Sequence, residues 1–409
     1  MAKRSRNEAD YAGLSRASRV RVRSPARRRK RTRAQIERQI QRLLENPGIQ
    51  IPHRAMVPTH LPTYAKNPDF FRELLKYCLR ASHSDPRKGL KVTSIAIRLT
   101  PYLEVKCLIV QAWLLLSFNL RILGCLRKSA STIEVACRIN LEQSCSSCEA
   151  IILRHRAHLL HSRAYEKRDK DLWREARELA ECSVSIARMV TMRDHDVESG
   201  GVAASLVCLA DIHFHSGHPL GAIECGSKAL SLIKASRSPE LYDVAVFNVA
   251  FYLKSFGGEE NLLAVEAAIK DMRRRFKGHA GPDYFQAKLD WFEAQVRWEL
   301  GRSPVSRVWD LMKRARDCFD AFKMRIEHVA ITADLSRMRL TERDVVTVLI
   351  RDLLQRAEGL PTSVRMALVA VHRAVAKGTW EAEEELREAL KALRTAASGG
   401  SVLPAFIKY

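Results

Sequence analysis

The residues of this sequence that could do chemistry fall mainly in two short stretches, and the first is HFHSGHPLGAIECGSK at 213–228. Histidine ring nitrogens bind zinc, which needs about four ligand atoms that can all contact the same ion. The nearest further ligands here are only Asp211 and Cys225. The pattern therefore favours packed or solvated histidines over a metal site. The histidines concerned are His213, His215 and His218.

The same stretch has glycines spaced like those of a phosphate-binding loop. Such a loop reads G-x4-G-K-[ST], so that the lysine reaches the terminal phosphates and the hydroxyl binds magnesium. Here Gly221 and Gly226 are followed by Ser227 and then Lys228, which is the reverse order. No buried strand precedes them, and apolar residues recur at helical spacing instead. The sequence argues against a nucleotide site.

The second stretch is Cys145-Ser-Ser-Cys148, which has the spacing of a zinc knuckle or a redox dithiol. Three histidines follow at three-residue intervals, but a helix cannot turn all of them toward one ion. A redox dithiol would need the strand, turn and helix of thioredoxin-like sites, and no strand is predicted here. The favoured interpretation is two thiols at the start of a helix, with no metal and no cofactor. The histidines are His155, His158 and His161.

No arrangement of residues predicts catalysis. The sequence contains no H-E-x-x-H, G-x-S-x-G or G-x-G-x-x-G, and its carboxylates are dispersed. Nothing places a nucleophile beside a base. We therefore expect a protein that is not an enzyme, although catalytic residues distant in sequence stay an open alternative.

The positive charge is concentrated at the N-terminus. The net charge is +23, and residues 1–33 contribute +11 of it through 13 Lys or Arg against 2 acidic residues. A basic block with few apolar residues cannot fold alone, so we predict a disordered arm. Its guanidinium groups could bind phosphates without reading bases. The candidate nucleic-acid-binding residues are Arg27, Arg28, Arg29, Lys30, Arg31 and Arg33.

The elements that must position these residues are predicted to be helices throughout. Apolar residues recur every three or four positions, and no stretch alternates long enough for a strand. The most apolar run, CLIVQAWLLLSFNL at 107–120, is too short to span a membrane and predicts a buried helix. The predicted parts are a disordered arm (1–33), a short helix with a proline-rich linker (34–66), a helical array (67–395) and a tail (396–409).

Internal repeats organise the array. Residues 206–229 show the spacing L-x2-L-A-x6-G-x4-A-x6-A, which resembles the tetratricopeptide repeat, and five weaker helix pairs flank it. The segments HSDPRKGL and FNVAFYLKSFG are similar to those of bacterial proteins that carry divergent arrays of this kind and have no assigned function. The resemblance implies an all-α fold, a right-handed α-solenoid of stacked antiparallel helix pairs.

Such an array implies an interaction scaffold, and no membrane attachment is expected. Ten cysteines without a secretion signal predict reduced thiols in the cytoplasm. A peptide or partner protein would lie on the concave face formed by the first helix of each pair. The alternative is a nucleic-acid-associated regulator that holds DNA or RNA through the basic arm. The partner-binding residues expected on the first helices are Trp113, Asn119, Arg156, Asn248, Tyr252, Trp291 and Arg297.

Overall fold

The structure is a computed structural model with two compact units, Met1–Arg54 and Ala55–Tyr409. In the first unit, residues 38–42 are helical and Ile40 is buried. The predicted basic arm, the proline-rich linker and the last residues of the predicted tail lie outside the described residues. The structure describes residues 35, 38–42, 45, 67–167, 169–193, 200–233, 239–275, 283–340, 342–358, 360, 362–377 and 381–400.

The second unit is built from α-helices, and its described residues contain no strand. None of its helices is both long and apolar enough to cross a membrane over the described ranges. The helices are α1 (Pro68–Ser84), α2 (Pro86–Leu99), α3 (Lys106–Ile122), α4 (Leu126–Leu141), α5 (Ser146–Lys167), α6 (Lys170–Arg193), α7 (Gly200–His215), α8 (Pro219–Leu232), α9 (Pro239–Phe256), α10 (Glu259–Arg275), α11 (Tyr284–Leu300), α12 (Val305–Ala321), α13 (Arg325–Met338), α14 (Arg343–Gln355), α15 (Thr362–Lys377) and α16 (Glu381–Gly400).

Local signals start and stop these helices as the sequence predicts. The Asn67 side chain accepts a hydrogen bond of 2.8 Å from the N–H of Asp69, and proline follows at the first helical position of α1. Gly217, Gly257 and Gly301 end three first helices with φ of 86°, 74° and 64°. Glycine suits these turns because a left-handed conformation puts no Cβ against the backbone.

Consecutive helices pack as pairs, so the predicted all-α solenoid is confirmed. Every odd-numbered helix up to α11 packs against the even-numbered helix that follows it, and each pair packs on the next. All six predicted helix pairs are present, and α1 with α2 and α13 with α14 extend the series. The apolar run at 107–120 lies in α3, where Val110, Leu114 and Phe118 are at most 1% exposed.

Hydrogen bonds between neighbouring odd-numbered helices repeat with the period of the array. In three pairs an aromatic side chain donates to a carboxylate on the adjacent odd-numbered helix, at separations of 41, 43 and 43 residues. These separations match those of the turn glycines, which are 40 and 44 residues apart. The repeat unit is therefore longer than the ~34 residues of a standard tetratricopeptide unit. The pairs are Tyr252 with Asp211, Tyr284 with Glu327 and Trp291 with Asp334.

The C-terminal end departs from simple stacking. Helix α13 packs more extensively against α16 than against α14, its neighbour in the chain. Helix α16 also contacts α5, and α1 contacts α11. We call the odd-numbered helices the first-helix layer. Two of them, α1 and α11, are in contact although they are distant in the chain, and α16 contacts two others, α5 and α13.

Candidate functional site

Asp211 lies at the centre of the first-helix layer. It is 0% exposed on α7, and its Oδ1 accepts hydrogen bonds from the Tyr252 hydroxyl at 2.6 Å and from Asn248 Nδ2 at 3.3 Å. Burial, and then the Asp211 carboxylate, raise the pKa of Tyr252 well above its usual value. The phenol therefore stays a neutral hydrogen-bond donor. This buried group holds α9 against α7.

Two arginines are buried in the same layer without a hydrogen-bond partner for part of their guanidinium groups. Arg121 on α3 is 2% exposed and Arg154 on α5 is 5% exposed. Among the described residues, Nη1 and Nη2 of Arg121 and Nε of Arg154 have no acceptor. Burial lowers the pKa of each arginine to about 10, although Cys208 raises both and Asp211 also raises that of Arg121. Buried guanidinium nitrogens without an acceptor are uncommon and suit an anionic ligand.

Lys288 on α11 adds a third buried cation. It is 2% exposed, and its Nζ lies 4.4 Å from the centroid of the Tyr284 ring. Burial lowers the pKa of Lys288 to about 8, although Glu327 and Asp211 raise it. Burial and the nearby lysine lower the pKa of His83 on α1 to about 4. The middle of the layer therefore carries more positive than negative charge. We call Arg121, Arg154, Asp211, Asn248, Tyr252 and Lys288 the inner cluster.

Further along the layer, α16 covers the predicted binding residue Trp291. The indole Nε1 of Trp291 donates to Asp334 at 2.8 Å, and Gln295 donates to the same carboxylate at 2.9 Å. Arg394 on α16 lies with its Cζ 4.7 Å from the Trp291 ring centroid and pairs with Asp334 at 3.2 Å. A helix of the same chain therefore occupies this part of the layer.

A cavity of about 720 Å³ lies on the other side of α11, between α10 and α12. Its charged lining has six Lys or Arg and only two acidic side chains, so the net charge is +4. Arg273 is already paired with Glu293 at 2.7 Å and with Asp290. Arg297 is paired with Glu293 at 2.5 Å. The lining residues are Ile269, Lys270, Arg273, Arg274, Glu293, Arg297, Arg307, Asp310, Leu311 and Arg314.

The histidines and glycines of residues 213–228 pack against neighbouring helices. Gly221 and Gly226 both lie in α8, and an added Cβ at Gly221 would be 3.4 Å from the His213 ring. His215 lies 4.9 Å from His161 between ring centroids. His158 Nδ1 is 3.3 Å from the Cys208 thiol. These histidines therefore contact the helices of their own array.

The seven predicted binding residues lie in different surroundings. All seven lie on odd-numbered helices, but only Asn248 and Tyr252 belong to the inner cluster, and Trp291 is covered by α16. Trp113 packs on the core shared by α3, α4 and α5, and the Asn119 amide donates to Thr93 at 3.1 Å. Arg156 is exposed and pairs with Glu134 on α4, and Arg297 lines the cavity. The predicted nucleic-acid-binding residues Arg27–Arg33 lie outside the described part of the chain.

The three buried cations of the inner cluster were not predicted from the sequence. Arg121 closes the most apolar run of the chain, and a charge at the end of a buried helix was an available signal. Arg154 and Lys288 lie among ordinary charged residues, so only the packing shows that they are buried. Cys107 approaches Cys145 across 38 residues, which spacing alone does not reveal.

The fold has a similar solved structure, the crystal structure of a Rap protein complexed with competence and sporulation factor. The TM-score is 0.52 at 14% sequence identity, and the match covers 81% of this chain and 89% of that chain. At this identity the similarity shows the fold alone, a tetratricopeptide-like helical repeat. No protein-family model and no curated protein matches the sequence.

Proposed function

We propose that this protein is a non-catalytic interaction scaffold, and that its first-helix layer forms a concave face that binds an anionic group of a peptide or partner protein. The observation that carries the proposal is the pair of buried arginines, because Nη1 and Nη2 of Arg121 and Nε of Arg154 have no acceptor among the described residues. A carboxylate from a ligand would supply the acceptor through charge-assisted hydrogen bonds.

The similar Rap structure supports binding by such a fold, because it is described as complexed with competence and sporulation factor. Of the residues predicted from sequence, the proposal retains Asn248 and Tyr252 of the inner cluster and Trp291, which α16 covers. A ligand that reaches Trp291 must displace Arg394. We infer that the scaffold is cytoplasmic, where its ten cysteines would stay reduced.

Arg121→Met should reduce binding and raise stability together. Loss of a charge-assisted hydrogen bond worth about 1.5–3 kcal/mol lowers affinity roughly tenfold or more. Removing a poorly compensated buried charge should raise the free energy of unfolding by about 1–3 kcal/mol. The measurements are capture of partners from an extract of the native cells by immobilised full-length protein, quantified by mass spectrometry, and urea unfolding followed by circular dichroism.

Two matched variants show which surface binds the partner. Arg156→Met removes an exposed arginine two residues from Arg154 and should leave capture unchanged. Arg274→Met changes the cavity between α10 and α12. Loss of capture in Arg274→Met with normal capture by Arg121→Met would move the partner to the cavity. Loss in Arg156→Met would favour an exposed face of α5.

The second candidate function is nucleic-acid association through residues 1–33, and its support is the concentration of 13 basic against 2 acidic residues there. Full-length protein should bind duplex DNA of any sequence. With about six phosphate contacts, affinity falls about a thousandfold between ~50 and ~200 mM salt. Deleting residues 1–33 should abolish binding, measured by fluorescence anisotropy, without changing the helical circular dichroism signal. Binding that survives the deletion would exclude the arm as the site.

A further inference from the structure

Three thiols from two separate parts of the chain converge at one end of the array. Cys107 lies in the first turn of α3, Cys145 immediately precedes α5, and Cys148 lies in the first turn of α5. Their Sγ atoms all lie within 4.8 Å of one another, and those of Cys107 and Cys145 are 3.5 Å apart. Within the described residues, no other three His, Cys, Asp or Glu side chains come together in this way. We call these three residues the thiol cluster.

The turn between α4 and α5 aims two of the thiols at the third. Ser144 has φ of 50°, in the left-handed region, and its N–H donates to the carbonyl of Asn140 at 2.7 Å. The chain reverses there, which brings Cys145 and Cys148 against the start of α3. The Gln143 side chain lies beside the cluster, with Oε1 3.6 Å from the Cys107 sulfur and Nε2 3.7 Å from the Cys148 sulfur.

The thiol cluster is buried on one side and reaches solvent on the other. The Cys148 side chain is 1% exposed, whereas Cys107 and Cys145 are half-buried. An ion could therefore enter from solvent and keep one position for water. Lys106, which precedes Cys107, and Glu142 are exposed and pair with each other at 2.8 Å. They form an ion pair of their own beside the thiols.

We propose that Cys107, Cys145 and Cys148 bind one zinc ion through three sulfur atoms, with a water molecule as the fourth ligand. Zinc–sulfur bonds of about 2.3 Å in a tetrahedron place the sulfurs roughly 3.8 Å apart, which small side-chain rotations reach from the observed separations. Each ligating thiol releases its proton to solvent when the metal binds.

The charge at this position favours zinc over copper(I), the other thiophilic ion. Three thiolates with Zn²⁺ carry a net charge of −1, and with Cu⁺ the net charge is −2. The N-terminus of α5 carries a partial positive charge of about +0.5, which offsets the smaller net charge more completely. The N–H of Glu149 bonds to the Cys145 carbonyl at 2.9 Å, so the cluster lies directly at that helix end.

Bound zinc would join α3 to α5, the first helices of two adjacent pairs. A ligand that binds only the folded state stabilises it by mass action. Zinc should therefore raise the midpoint of urea unfolding of the full-length protein. The inference does not depend on the proposed anion-binding function, because the thiol cluster and the inner cluster share no residue.

The test uses reduced full-length protein titrated with zinc, and separately with cobalt(II) as a spectroscopic probe. We expect one zinc per chain in competition with a chromophoric chelator. Cobalt should give thiolate-to-metal charge-transfer absorption and the intense d–d bands of a tetrahedral site. Removing a ligand in Cys107→Ser should lower zinc affinity about a hundredfold or more, and zinc should no longer raise the unfolding midpoint of that variant.

Matched variants keep the test decisive. Cys125→Ser and Cys182→Ser remove exposed thiols outside the cluster and should bind zinc like the wild type. If Cys107→Ser fails to fold, as judged by circular dichroism, Cys145→Ser replaces it as the ligand-loss variant. Zinc affinity that is equal in the wild type and the ligand-loss variant overturns the proposal. So does a loss of two free thiols in air with no metal uptake, which would indicate a disulfide instead.

Discussion

Replacing Asp211 with leucine is expected to lower the free energy of unfolding by about 3–5 kcal/mol, the range typical of removing one partner of a buried charged group. Leucine is larger than aspartate, so overpacking at this buried position adds to the loss of the polar interactions. The Tyr252 hydroxyl and the Asn248 amide would both lose their acceptor in a fully buried position. Lys288 would also lose a nearby carboxylate that favours its charged form.

Tyr252→Phe is the graded control for this prediction. It removes one hydrogen bond and keeps the ring, and Asn248 still donates to Asp211, so the expected loss is only about 1–2 kcal/mol. Urea unfolding of both variants, followed by circular dichroism, measures the difference. If Asp211→Leu unfolds at the wild-type urea concentration, the carboxylate does not hold α7 and α9 together. Equal losses in the two variants would assign the whole effect to the tyrosine hydroxyl.

Replacing Gly89 with alanine is expected to destabilise the first pair by about 3 kcal/mol through overpacking. A Cβ at Gly89 would lie 2.4 Å from Ser82 Oγ, 2.5 Å from Ser82 Cα and 2.8 Å from Asn119 Oδ1. The contact with Cα is a contact with backbone, so α1 and α2 must separate to relieve it. Asn119 would also move away from Thr93, to which it donates from α3.

Gly201→Ala is the matched control, because the same substitution is expected to raise the stability of the protein there. Gly201 lies in α7 with nothing within 4 Å of an added Cβ. Alanine in a helix is more stable than glycine by up to about 1 kcal/mol. The midpoint temperature of thermal unfolding should therefore rise slightly for Gly201→Ala and fall clearly for Gly89→Ala. A stabilised Gly89→Ala variant would show that α1 and α2 pack less closely than the structure indicates.

Much of the fold follows from local sequence patterns. The helices are predictable because apolar residues recur with a helical period, and the pairs are predictable because Gly217, Gly257 and Gly301 mark turns between them. Each pair packs mainly on its neighbours, so local patterns carry the architecture. The start of α1 is equally local, since Asn67 caps a helix whose first residue is proline.

The candidate site is harder to predict, because it depends on contacts between distant residues. Arg156 and Arg154 are two residues apart and chemically identical, yet one is exposed and the other is buried. The helical period places them on opposite faces of α5, about 200° apart. Which of the two faces is buried depends on helices elsewhere in the chain, so the sequence alone does not decide it. The third thiol of the cluster is hidden for the same reason, since Cys107 and Cys145 belong to different pairs.

The packing of α13 against α16 bears on the order in which the chain can fold during synthesis. The pairs from α1 to α12 contain partners that are adjacent in sequence, so each can close soon after it leaves the ribosome. Helix α13 finds its main C-terminal partner only after α14 and α15 have been translated. The face of α13 that packs on α16 therefore stays uncovered until α16 has left the ribosome.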